Sequence, residues 1–371
     1  MKKKYIFVLL AVASLFMIAI LINNIDKQQA NSLNEESGNK DINQLEEYVK
    51  NNEDDLASKK ELVWQYLLTD QYEKAIKLNQ EIIKIKKNDT DALHQLSVSY
   101  MSIEEYNKAK TTILKLLKFN EYNPVALTNL AQVYFLLNDE EEFINNIKKA
   151  IEAAEIQNVE ESEKDFYQML DDMVNKFISL KDSKNNQKAY DLLSNQDYLE
   201  SHLKISALKK ALLIDSEQNS ERFIKLGLLE LQVNKLNDAE KSFRNFTSKH
   251  PKNDYGYFLL ADTLFKLKDY EELKNLNNLS ISNEYAASFV KALDTFSENP
   301  EKSLSMITEL LENSSDKYKQ VLLYNAAVIS KDLGKEKEFL DYYKKFEKSE
   351  YDSDYAIAIM LNRNTNLKST N

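Results

Sequence analysis

The chain has 371 residues, 43% of them hydrophobic, and carries 49 Lys and Arg against 60 Asp and Glu, a net charge of −11. It has no cysteine, which excludes disulfides, thiolate chemistry, cysteine metal sites and lipoprotein processing. With only 4 Gly and 3 Pro it has little material for tight turns or phosphate cradles, and its acid excess repels nucleic acid and other anionic polymers. The expected class is all-α, with neutral, apolar or basic partners.

Lys2, Lys3 and Lys4 open the chain and run into an uncharged apolar stretch, Tyr5 to Ile22. As a helix this stretch would be roughly 27 Å long, close to the hydrocarbon thickness of a bilayer. Two readings compete: a cleaved signal peptide and a retained signal anchor. The small-residue site Ala11-Val12-Ala13 lies inside the apolar run, and Gln28-Gln29-Ala30 has a bulky residue where a small one is wanted. The retained anchor is therefore favoured, with residues 5–22 in the lipid bilayer. Positive charge stays on the cytoplasmic side, so the array should face outward. Residues 1–22 are read as Lys cluster and transmembrane anchor, and residues 23–40, polar and nearly free of large apolar side chains, as a tether.

From Leu56 onward the sequence repeats. Leu62, Leu96 and Leu130 recur every 34 residues, as do Tyr66, Tyr100 and Tyr134, and the small-side-chain series Val63, Ser97, Ala131 keeps the same step. Tyr72 to Ala75 matches Tyr106 to Ala109 at that spacing. Each unit splits into two amphipathic segments around a polar break, the pattern of a helical-hairpin array whose apolar faces are buried only by stacking. Small residues let the paired helices approach closely, while tyrosines and leucines fill the gaps between hairpins.

At these residues the chain resembles the tetratricopeptide repeat (TPR) family, over units 56–89, 90–123 and 124–157. The resemblance returns at 220–253, where Leu226-Gly227, Ala239, Phe243 and Pro251 stand in the family's positions. It continues at 254–281 with Leu260-Ala261 and Tyr270, and at 320–348 with Ala326-Ala327, Phe339, Tyr343 and Phe346. The fold expected is an all-α, TPR-like helical-hairpin solenoid of about eight irregular hairpins, preceded by one transmembrane helix. Residues 41–157 form its first sub-array, with 41–50 as a short capping helix. Register fails at 158–184, read as a long helix or joint. Residues 185–363 form a second sub-array, with Asp352–Leu361 closing the last hairpin, and 364–371 a disordered tail.

Catalytic chemistry finds little footing. His94, His202 and His250 are widely separated and the four glycines are isolated. Acidic clusters such as Asp139–Glu142 open helices, where carboxylates complement the dipole. No enzyme activity, cofactor or metal is expected. In TPR proteins the first helix of each hairpin lines a groove that receives peptides or helices, so the resemblance implies a protein or peptide partner offering an amphipathic or apolar segment. The groove face would present Lys60, Trp64 and Leu67, then His94, Val98 and Met101, then Thr128, Gln132 and Phe135. Tyr255, Phe258, Asp262 and Phe265 offer a second aromatic platform, for which core packing is the competing reading. Trp64, the one tryptophan, either faces the groove or packs on the 41–50 helix. The Lys/Asn/Arg set with which some TPR proteins clamp a terminal carboxylate is matched only near Lys60 and Asn129.

The expectation is thus a membrane-anchored, outward-facing scaffold that docks a partner in a cell-envelope assembly. A peptide-sensing regulator and a non-catalytic accessory subunit of an envelope enzyme are the alternatives. The sequence leaves the oligomeric state open.

Overall fold

The computed structural model describes residues 42–215, 221–279, 281–348 and 354–361. The predicted membrane anchor, the tether and the 364–371 tail lie outside the described residues. Among the described residues there are only helices and turns, and no helix is long and apolar enough to cross a membrane.

Capping sets where the first helices start. Asp55, Asp89 and Asn123 stand 34 residues apart, and each accepts backbone N–H bonds from the residues that follow: from Ala57 and Ser58, from Ala92, and from Ala126, at 2.9 to 3.1 Å. Each satisfies donors that a helix start leaves bare. Helices α2 (Leu56–Leu68), α4 (Thr90–Ser102) and α6 (Pro124–Leu136) begin directly after these caps. Each hairpin turns through a left-handed residue: Asp70, Glu104 or Asn138, with φ of 57°, 62° and 65°. The next residue's N–H then returns to the carbonyl of Tyr66, Tyr100 or Tyr134 at 2.8 to 2.9 Å, closing the helix end. The chain re-enters as α3 (Tyr72–Ile85), α5 (Tyr106–Leu117) and α7 (Glu140–Gln157).

The described chain divides between Leu203 and Lys204 into two compact units. In the first, α1 (Ile42–Asn51) packs on α2, and successive helices pack in order through α8 (Glu161–Asp182) and α9 (Asn186–Ser194). The small-residue series Val63, Ser97 and Ala131 is fully buried, as are Ala75 and Ala109 opposite it. The stretch 158–184, read as a long helix or joint, holds α8, a 22-residue helix inside this first unit. The division falls instead within α10 (Ser201–Ile214).

The second unit continues with α11 (Glu221–Gln232), α12 (Leu236–Lys249), α13 (Asp254–Leu267), α14 (Tyr270–Asn277), α15 (Glu284–Thr295), α16 (Pro300–Glu312), α17 (Asp316–Asp332) and α18 (Glu336–Lys348). The left-handed turn recurs at Asn234, Lys268 and Gly334. At its centre lies α13, buried from Gly256 through Phe265 and packed on α12, α14, α15 and α17. The final described helix is α19 (Asp354–Leu361), expected to close the last hairpin. Its principal contacts are with α11 and α17. It does not extend the stack beyond the last hairpin; it doubles back over first helices.

Candidate functional site

In the first unit the open part of the expected groove lies on α2 and α4. Lys60 Nζ stands 2.9 Å from carboxylate oxygens of both Asp89 and Asp91. Burial opposes the lysine's charge, but the bonds to Asp89 and Asp91 outweigh it and hold its pKa above the usual value. Because Asp89 also caps α4, Lys60 ties one hairpin to the next, and a carboxylate ligand would compete with that tie. Trp64 is partly buried against the cluster formed by Leu45, Val49, Leu62, Val63 and neighbours, and partly exposed. Val98 and Met101 are likewise partly exposed.

The remaining predicted residues of this face are interior. His94 is buried, and desolvation lowers its pKa to about 4 against a weaker opposing pull from Asp91, so the ring is neutral at pH 7. Thr128 is buried and donates to the Pro124 carbonyl at 2.9 Å. Gln132 is buried and its Oε1 lacks a partner. Phe135 is fully buried, its ring edge-on to Phe143 at 5.2 Å. Phe135, Thr128, Gln132 and His94 therefore build the wall and do not form its surface. Helix α6 is buried on nearly every side, which a one-face reading of its sequence does not anticipate.

The second predicted platform is also filled. Phe258 is fully buried and stacks on Phe289, with centroids 4.3 Å apart and planes 3° from parallel, while Tyr318 lies 4.7 Å away. Tyr255 is partly buried beside Tyr318 at 6.1 Å, and Phe265 meets Phe296 edge-on at 5.0 Å. Asp262 is fully buried at the meeting point of three helices. It accepts a hydrogen bond from Lys266 one turn on, from Asn325 Nδ2 of α17 at 2.8 Å and from Tyr355 Oη of α19 at 3.0 Å. Lys266 Nζ also donates to Tyr355 Oη at 2.9 Å and lies 4.0 Å from the Tyr324 ring centroid. Burial lowers the Lys266 pKa, Asp262 opposing, and burial raises that of Tyr355.

Tyr355, Lys266 and Asn325 are the residues that sequence reasoning missed. The i, i+4 pair Asp262 and Lys266 on an otherwise apolar helix was the one local sign. Among the described residues no group of three or more His, Asp or Glu side chains is arranged to hold a metal ion.

Against this geometry, residues 90–123 and 125–157 match the family model of the tetratricopeptide repeat. Over those two stretches the chain is similar to the tetratricopeptide repeat. The matched stretches are the hairpins α4–α5 and α6–α7, and the α2–α3 hairpin shares their caps and turns. Similar solved structures include YrrB, titled a TPR protein with an unusual peptide-binding site, at 12% identity over 76% of this chain and 98% of that one, TM-score 0.25. Yeast Tom70 is 14% identical over 82% of this chain and 87% of its own, TM-score 0.29. The TPR domain of P58(IPK) is 14% identical over 83% and 97%, TM-score 0.27. No curated protein matches the sequence.

Proposed function

We propose that this chain is a membrane-anchored, outward-facing TPR scaffold that docks a protein or peptide partner in a cell-envelope assembly, itself performing no reaction. The observation that carries the docking reading is the partly exposed apolar row Trp64, Val98 and Met101 on the first helices α2 and α4. An aromatic anchor beside flexible and branched apolar side chains suits an amphipathic or apolar segment. The acid excess favours partners that are neutral or basic around that segment. The anchor rests on residues 5–22 and the preceding lysines.

Trp64 is the chain's one tryptophan and reports on the surface directly. Full-length protein in lipid nanodiscs should shift its Trp emission when titrated with an amphipathic helical peptide. By calorimetry, Trp64→Ala should weaken that binding by about 2 kcal/mol, the usual size of an aromatic anchor. Equal binding by the variant would remove the α2–α4 surface from the reading. Protease added to intact cells should degrade the array; protection until the cells are broken would reverse the orientation.

A further inference from the structure

The second unit holds its own last described helix as a ligand is held. We propose that the groove formed by α11, α13 and α17 is a docking site for an apolar helical segment led by a tyrosine. Residues 354–361 are its resident occupant, exchangeable for a partner segment of the same chemistry. This rests on α19 and its seat, and not on the anchor or on the α2–α4 surface.

Connectivity argues first. Only residues 349–353 separate α18 from α19, and a helix continuing the stack would lie on α18. Instead α19 makes its principal contacts with α11 and α17, and Tyr355 reaches α13. All three are first helices of their hairpins.

Recognition argues second. The occupant, Asp354–Leu361, has no charge after its first residue and buries Tyr355, Ala356, Ala358 and Ile359. One polar anchor fixes it: the Tyr355 hydroxyl donates to Asp262 and accepts from Lys266, with its ring edge-on to Tyr324 at 6.2 Å. An apolar face plus one convergent polar contact is how helix-in-groove sites combine affinity with direction. The receiving groups are joined without α19, since Lys266 and Asn325 both donate to Asp262 from the groove wall. The seat is built before its occupant arrives.

The short covalent link of residues 349–353 explains why the groove is closed. A segment on a short link competes at an effective concentration on the order of millimolar, so a free peptide of equal affinity loses to it.

The test uses the full-length chain and a fluorescein-labelled peptide with the sequence of residues 352–363, read by anisotropy. Two variants eject α19: Tyr355→Asp, which sets a carboxylate against Asp262, and Ile359→Asp, which leaves the Asp262 network untouched. Both should bind the peptide at least about 10-fold more tightly than the wild type. The same peptide with phenylalanine at the tyrosine position should bind about 5-fold more weakly, the loss of one buried hydrogen bond. Hydrogen exchange should show α19 amides deprotected in the variants while α11, α13 and α17 stay protected. Equal peptide binding by wild type and variants overturns the proposal. So does joint loss of protection across α11, α13 and α19 in both variants, which would make α19 an inseparable part of the core. A wild-type dimer by light scattering, dissociated by Tyr355→Asp, would show the occupant arriving from a second copy and overturn the assignment within one chain.

Discussion

The Phe243 ring of α12 lies against the backbone of Gly227 in α11, so that a Cβ there would stand 2.6 Å from its Cζ. Phe243 is fully buried. Gly227→Ala gains helix propensity worth about 1 kcal/mol, but overpacking costs typically 1–3 kcal/mol. The expected net is a loss of about 1–2 kcal/mol in urea unfolding of the second unit. Combined with Phe243→Leu, the loss should be smaller than the sum of the two single changes.

Phe135 belongs to the interior, and its removal reads as stability and not as binding. Phe135→Ala should cost about 3–5 kcal/mol, the range for a deleted core aromatic. Urea unfolding followed by circular dichroism measures it. A variant that keeps full stability and merely binds a partner less well would return Phe135 to the groove.

His94 makes the first unit sensitive to acid. Its folded pKa of about 4 lies below the ordinary 6.5, so between those values the unfolded chain binds the extra proton. Stability therefore rises with pH across this window, is complete above about 6.5, and is lost as pH falls toward 4. The loss is about 3 kcal/mol. Replacing His94 with Leu should flatten that part of the urea-midpoint profile between pH 7 and pH 4.5; an unchanged slope would mean the ring is not desolvated.

Asn79 is fully buried in α3, and neither of its side-chain polar atoms has a hydrogen-bond partner. A buried amide left unpaired costs about 1–3 kcal/mol, and an apolar side chain of similar volume removes that cost. Asn79→Leu should thus stabilise the first unit by about 1–2 kcal/mol, measured as a higher urea midpoint with an unchanged slope. A lower midpoint would show that the amide is satisfied after all.

What was legible in the sequence was whatever repeats locally. The step that relates Leu62, Leu96 and Leu130 also relates the caps Asp55, Asp89 and Asn123 and the left-handed turns at Asp70, Glu104 and Asn138. Hydrophobic period, cap and turn agree, so the helix starts at Leu56, Thr90 and Pro124 coincide with the unit starts read from the sequence. The groove was less legible because exposure depends on what arrives from elsewhere. Phe258 and Asp262 share a face of α13 whose own sequence fits a platform or core packing alike, and Tyr318, Asn325 and Tyr355 cover it from other helices. Thr128 and Gln132 were misread for the same reason, since α6 is enclosed on more than the one face its hairpin buries.

The hydrogen bond from Tyr355 to Asp262 spans 93 residues of chain. During synthesis at about 5–20 residues per second, Asp262 emerges from the ribosome on the order of 5–20 s before the tyrosine that meets it. Once Asn325 of α17 has followed, the seat lacks only its own closing helix, whose tyrosine trails Asn325 by 30 residues and so by about 2–6 s. Any suitable segment nearby then meets the seat without a tethered rival, so the order of translation itself decides who arrives first.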